Sequence, residues 1–238
     1  MNYFKLLAVT IVAVSLYTAP LAQAKDKVIS FSSAKKKLYK NVFNNSGRTI
    51  YCDCDWSKKK TDLSSCGLQS YFPKKQRKRA ARTEAEHIIP ASWYLKVGHN
   101  LRACAAEAKT LGKSPRKHCQ KTDRDYKQAH NDLVNLWPAV GQINADRSNK
   151  PFVSSAKSKV KKYASCDIEI GSRGIAPSDD RKGDIARIAF YMEAKYSILY
   201  SKRQRKLFEE WDALDPVSDS EIAHNKRVVK AQGFGIVN

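Results

Sequence analysis

Residues 83–90 read Thr83-Glu84-Ala85-Glu86-His87-Ile88-Ile89-Pro90, and residues 135–149 read Asn135-Leu136-Trp137-Pro138-Ala139-Val140-Gly141-Gln142-Ile143-Asn144-Ala145-Asp146-Arg147-Ser148-Asn149. The first stretch carries β-branched residues and is stopped by Pro90, so it reads as a strand running into a loop or short helix through Trp93 and Tyr94. Ahead of the second, Leu133 to Leu136 reads as a further short strand. Pro138 then stands where a first helical turn accepts proline, and Pro151 ends the helical pattern. Val140, Ile143, Asn144 and Arg147 fall at i, i+3, i+4 and i+7 and therefore share one helix face. A polar amide and a guanidinium project there beside apolar anchors.

Upstream, residues 32–43 place Leu38, Val42 and Phe43 among lysines at helical spacing, which predicts a helix with one buried face. Residues 49–56 alternate and are rich in strand formers, which predicts a strand followed by a polar loop to Cys66. On such a strand Cys52 and Cys54 would point the same way and be poorly placed to bond each other. Residues 74–82 read as a solvated basic loop or a phosphate-tracking edge, and residues 95–122 as a loop holding Cys104 and Cys119. Downstream, Ile185, Ile188, Ala189, Met192 and Tyr196 form one helical stripe, Leu207, Trp211 and Leu214 another, and residues 219–231 a last helix. These stripes read as core packing. No repeat or long Pro/Gly/Ser linker interrupts the chain, which points to one domain.

The N-terminus is read as a secretory leader over residues 1–24. Lys5 precedes an apolar run from Leu6 to Tyr17, and Ala22-Gln23-Ala24 supplies a small-residue cleavage pattern. The run is shorter than the roughly 20 residues a membrane span needs. The expected mature domain, 25–238, is periplasmic or secreted. All 6 cysteines lie in it, and an even count in an oxidising compartment favours disulfides over a thiolate zinc site, although sequence permits fifteen pairings. The formal net charge is +21, spread over Lys35 to Lys37, Lys58 to Lys60, Lys74 to Arg82, Lys157 to Lys162 and Lys202 to Lys206. Such a surface seeks a polyanion, and counterion release makes that binding tight, salt-sensitive and indifferent to sequence. Charge alone divides evenly between nucleic acid and other anionic partners.

The two quoted stretches contain what phosphodiester hydrolysis requires. A water must lose a proton, the phosphate charge must be neutralised, and the departing oxygen must be stabilised. His87 is the natural base because imidazole has an unperturbed pKa of about 6.5. Glu86 and Asn144 offer one carboxylate and one neutral amide oxygen, a donor pair that leaves magnesium with positive charge toward a phosphate. Neighbouring cations would lower the His87 pKa and carboxylates would raise it. Adjacent strand residues face opposite sides, so Glu86 and His87 can straddle one site only where the strand ends, near Pro90. His99, His118, His130 and His224 have no comparable setting and read as structural or exposed. A non-catalytic cationic binder is the competing reading.

The pattern Glu-x-Glu-His-hydrophobic-hydrophobic-Pro-Ala, followed by Asn-Leu-x-Pro-x-hydrophobic-Gly-x-hydrophobic-Asn-x-Asp-Arg-Ser-Asn, resembles the endonuclease I family of periplasmic and extracellular bacterial nucleases. The similarity continues through Cys166, Pro177 to Arg187, Tyr191-Met192 and Gln232-Gly233. It implies an α+β fold: a mixed single domain with a ββα-metal (His-Me finger) core and several C-terminal helices. It implies His87 as general base, Arg116 as the arginine that holds the phosphate, and Glu86 and Asn144 as ligands of Mg2+, with Mn2+ or Ca2+ as substitutes. Glu84 and Arg147 are candidates for supporting or phosphate contacts, and an internal ion pair is the alternative for Arg147. The resemblance also implies disulfides Cys52–Cys166, Cys54–Cys66 and Cys104–Cys119, a monomer acting on DNA and also RNA, and products with 5′-phosphate ends. Two departures stand out: Ala85 replaces an aromatic residue, and the chain ends Gly233-Phe-Gly-Ile-Val-Asn238 where the family runs through Asn-Pro-Phe.

Overall fold

The computed structural model describes residues 28–97 and 102–237; the expected leader and His99 lie outside them. Chain entry is a helix, α1 (Phe31–Lys37), whose N-cap Ser30 accepts the Ser33 N–H, satisfying one of the donors a helix start leaves open. The helix widens into a π turn over Leu38–Val42, closed by the Phe43 N–H on the Leu38 carbonyl. The predicted helix over 32–43 is therefore split in type, and the wider turn buries Leu38, Tyr39 and Val42 together.

The strand expected over 49–56 does not form. β1 (Ser46–Arg48) and β2 (Asp55–Ser57) pair antiparallel, with β3 (Lys60–Thr61) beside β2, while residues 49–54 make a tight loop. Asp53 sits there at φ 51°, a left-handed conformation no strand contains. The loop lets its two cysteines diverge: Cys52 bonds Cys166 and Cys54 bonds Cys66. The third disulfide is Cys104–Cys119. Among the described residues no cysteine is free, so a thiolate zinc site has no ligands.

Residues 74–82 are not a loop. α2 (Lys74–Ala80) starts after Pro73, and its Lys, Arg and Gln residues are good helix formers. Likewise the expected loop 95–122 contains α3 (Ala91–Val97) running into it, α4 (Arg102–Thr110), which buries Cys104, Ala105 and Ala108, and α5 (Pro115–Thr122), with proline at its first turn. α6 (Arg124–Asn131) follows, capped by the Asp123 carboxylate on the Tyr126 N–H.

The motif strands pair as β4 (Thr83–His87) with β5 (Leu136–Val140), antiparallel, from Thr83 opposite Val140 to His87 opposite Leu136. Residues 133–135, expected in a strand, are a 3-10 turn, and Pro138 lies in β5 rather than opening a helix. The register explains how a strand tolerates it. Ile88 donates to the Asn135 carbonyl, so bonded pairs alternate and Ala85 and Pro138 face each other without a ladder bond. The absent N–H costs nothing there, and the Pro138 carbonyl accepts from Ile50 on the outer edge. α7 (Gly141–Arg147) follows without a loop. A side chain at Gly141 would come within 2.5 Å of the Arg79 carbonyl and 3.1 Å of Glu84 Oε1, so only glycine lets α7 start so close to α2 and β4.

A sheet β6 (Lys161–Tyr163), β7 (Cys166–Ile170) and β8 (Ile175–Ala176) was not expected from sequence. Three helices then close the core: α8 (Lys182–Tyr196), α9 (Lys202–Leu214) and α10 (Asp219–Gln232). Ile185, Ile188, Ala189 and Met192 are buried as the stripe predicts. On α9 the inward residues are Phe208 and Trp211, whereas Leu214 is 72% exposed at the helix end. The result is a mixed helix-and-sheet domain, and among the described residues no helix is long and apolar enough to cross a membrane.

His224 on α10 supplies a pH dependence. It is 4% exposed, stacks on Trp137 at 4.1 Å between ring centroids, and its Nε2 has no partner. Burial, aided by Arg227, pushes its pKa down to about 3. With the folded value below the unfolded one, the unfolded chain binds the extra proton, so stability falls as pH drops from about 6.5, by about 1.4 kcal/mol per unit. His224→Phe is expected to narrow the difference between urea midpoints at pH 7 and about pH 4.5. An unaltered difference would show that His224 is not held neutral.

Candidate active site

The pleat of β4 sends Glu84 and Glu86 to one face and His87 to the other. On the first face, Asn144 of α7 donates its Nδ2 to Glu84 Oε2 at 3.3 Å, so the structure brings the helix amide to the same side as both glutamates. Glu84 is itself gripped by Arg79, through Nε at 3.1 Å and Nη2 at 2.8 Å, and by Arg82 at 3.1 Å. Glu86 is buried; its Oε1 accepts from the Tyr51 hydroxyl at 3.0 Å and faces Arg147 Nη1 at 3.0 Å. Burial raises its pKa, against Arg147 and Tyr51.

Arg147 is 1% exposed. Besides Glu86 it donates to the carbonyls of His87 at 2.7 Å and Ile88 at 2.5 Å, and it lies 5.2 Å from the Phe152 ring. Of its two readings the geometry favours the internal ion pair, with Glu86 as partner. The guanidinium fastens the end of β4 to α7.

On the opposite face His87 Nε2 lies 2.9 Å from the His130 backbone carbonyl. A carbonyl only accepts, so Nε2 carries the proton and Nδ1 holds the free lone pair. Phe31 stacks on the imidazole at 5.5 Å and packs edge-on to His130 at 4.7 Å. Burial lowers the His87 pKa well below the usual 6.5, with His130, Arg116 and Arg147 adding to the effect and the bond to His130 opposing it. The competition that sequence left open is won by burial and the nearby cations.

His130, read from sequence as structural or exposed, belongs to this cluster. Its Nδ1 donates to Asn131 Oδ1 at 2.9 Å, and its Nε2 accepts from Arg116 Nη2 at 3.3 Å. Asn131 donates to the Ile29 carbonyl at 2.6 Å. Arg116, on α5, is thus aimed by a neutral imidazole, and burial keeps that ring neutral, with a pKa down to about 4. Asn135 is a second residue the motif carried without a stated role. Its side chain exchanges bonds with the backbone of Ile89, 2.7 Å to Oδ1 and 2.9 Å from Nδ2, pinning the chain just past His87. His118 sits apart, 3.3 Å from Glu107.

For a metal, the donor chemistry fits a hard cation. Glu86 is a carboxylate that meets Tyr51 and Arg147 through Oε1, and Asn144 engages through Nδ2, leaving its amide oxygen to act as a ligand. Cys104, Glu107 and His118 also gather donor atoms within 4.8 Å of one another, but the Cys104 sulfur is bonded to Cys119 and is no thiolate.

The sequence model of the family described as Endonuclease I matches residues 30–235. The chain belongs to the endonuclease I family. Endonuclease-1 of Buchnera aphidicola subsp. Acyrthosiphon pisum is 35% identical over 215 residues, which cover 88% of this chain and 80% of that protein. A periplasmic deoxyribonuclease of Aeromonas hydrophila is 36% identical over 211 residues, 86% of this chain and 82% of its own length. An extracellular ribonuclease of Bacillus subtilis is 32% identical over 117 residues, 40% of this chain and 38% of its own length. Within the endonuclease I match lie β4, β5, α7 and the segment presenting Arg116.

Proposed function

We propose that this chain is an exported, metal-dependent endonuclease that hydrolyses phosphodiester bonds of DNA, and also RNA, without sequence preference. The observation that carries the reading is the His87 imidazole, held by the His130 carbonyl with Nδ1 free, beside a His130 ring that in turn receives the Arg116 guanidinium. The names of the relatives, extracellular or periplasmic deoxyribonucleases and one ribonuclease, support substrate and compartment. The antiparallel pairing of β4 with β5, and α7 following β5 without a loop, support a ββα-metal (His-Me finger) core.

In this reading Glu86 and Asn144 would hold Mg2+ on one side of β4 and His87, the last residue of that strand, would approach the same phosphate from the other, the two straddling the strand end. The bound ion supplies charge neutralisation at the scissile phosphate and at the departing oxygen. His87 Nδ1 takes a proton from water as the water oxygen bonds to phosphorus. The bond from phosphorus to the 3′ oxygen breaks with its electron pair on that oxygen, which takes a proton from solvent, leaving a 5′-phosphate and a 3′-hydroxyl. Arg116 holds a non-bridging phosphate oxygen, and planar guanidinium donors suit that task. Glu84, gripped by Arg79 and Arg82, orients Asn144. In this reading the active form is a monomer of residues 25–238 after loss of the 1–24 leader.

The test is digestion of plasmid, single-stranded DNA and RNA side by side, with Mg2+ and with EDTA. Cleavage of DNA that EDTA abolishes is expected. Cleavage that survives chelation would remove the metal, and tight salt-sensitive binding without any cleavage would favour the non-catalytic binder.

A further inference from the structure

Away from the proposed centre, residues between α7 and β6, the β7–β8 turn and the start of α9 enclose a groove of about 760 Å³. Its floor is apolar, with the half-buried Val153 and Leu207 over the buried Phe152. Lys157, Arg173 and Arg203 come to its rim from three different parts of the chain, with Lys206 beside them. Among the described residues Lys157, Arg173 and Arg203 take part in no ion pair. Lys206 reaches only 3.9 Å from Glu210, the groove's one carboxylate.

Cations on the adjoining helices are paired. Arg205, between Arg203 and Lys206, meets Glu193 and Glu209, and Arg187 on α8 meets Asp184, Asp212 and Glu221. The groove itself sets four cations, Lys157, Arg173, Arg203 and Lys206, against the single carboxylate of Glu210. Mutual repulsion of three guanidinium and ammonium groups is tolerated where water screens it and a polyanion can relieve it. Evenly spaced phosphates answer the rim, and sugars and bases answer the apolar floor. The groove also lies near the centre: Phe152 packs on Arg147, which pairs with Glu86.

We infer that this groove is a second nucleic-acid site, holding the sugar–phosphate backbone of the substrate strand away from the scissile bond and so favouring long chains over short ones. The inference rests on the nuclease reading above. Its test compares wild type, Arg173→Gln/Arg203→Gln, and a charge-matched control, Lys226→Gln/Lys230→Gln, whose residues are exposed on α10 and do not line the groove. Each is given single-stranded DNA of about 30 and about 4 nucleotides, spanning the usual single-strand site sizes.

The groove variant is expected to lose about tenfold in kcat/KM on the longer strand and under about twofold on the shorter, while the control keeps both. Its affinity for the longer strand should also lose about 1.4 from the log–log salt slope, the share of two phosphate contacts on a single strand. Equal losses in both double variants, or a loss independent of length, would overturn the groove. Wild type that cleaves neither strand would instead remove the nuclease reading, and the binding comparison alone would then decide the groove.

Discussion

Replacing His87 with Ala is expected to lower metal-dependent cleavage of DNA by roughly a thousandfold, within the range a general base contributes, while leaving strand affinity nearly intact. The strong effect follows from how completely the surroundings commit this ring. Its Nε2 proton is spent on the His130 carbonyl, Phe31 stacks on it, and only Nδ1 remains for a water. Because burial and nearby cations hold the His87 pKa well below 6.5, the base stays neutral into mildly acid solution. The acid limb of kcat/KM in the wild type therefore falls below pH 6.5. His130→Ala separates two contributions of its residue: the carbonyl that orients His87 remains, and the imidazole that receives Arg116 is lost. It should cost about tenfold, read as a rise in KM more than a fall in kcat, since what loosens is the proposed phosphate-binding group. A His87→Ala protein that still cuts at the wild-type rate would remove the base assignment altogether.

The motif residues were legible because their spacing is local. Asn144 and Arg147 share a helix face whatever precedes that helix, and α7 spans both. The start of the helix was not legible, because Pro138 suits a first helical turn as well as a strand position with no ladder bond to lose; the register with β4, set by residues fifty positions away, chooses the second. Residues 49–56 alternate like a strand, yet the disulfides to Cys66 and Cys166 need the chain to turn at Asp53. Periodicity cannot report a covalent bond across the sequence. His130 was missed for a related reason. Its sequence neighbours say nothing of His87 and Arg116, which reach it only when α5, α6 and β4 converge. The available signal was its place just ahead of the motif that opens at Asn135. The long helical stripe of α8 needed no such context, since amphipathic periodicity alone fixes which side is buried.

Arg147→Met is expected to destabilise the domain by about 3–5 kcal/mol, the usual cost of removing one partner from a buried ion pair. For a domain of this size that is a fall of roughly 10 °C or more in Tm. The cause is less the attraction lost than what is left behind: the Glu86 carboxylate and the carbonyls of His87 and Ile88 lose their donor where water does not reach. Protonation relieves part of this. Without Arg147 the buried Glu86 carboxyl titrates even higher than its already raised value, and a group with a raised folded pKa costs stability as pH climbs above its unfolded value. The deficit of Arg147→Met should accordingly be larger at pH 8 than at pH 5. Adding Glu86→Gln removes the uncompensated charge, so the double variant is expected to be more stable than Arg147→Met alone, with a coupling of about 2 kcal/mol in a cycle of urea denaturations. Strict additivity would mean that the guanidinium acts only through the two carbonyls. In either case the residue that sequence offered as a phosphate contact serves as the fastening that holds the proposed metal ligand and the end of the catalytic strand in one place.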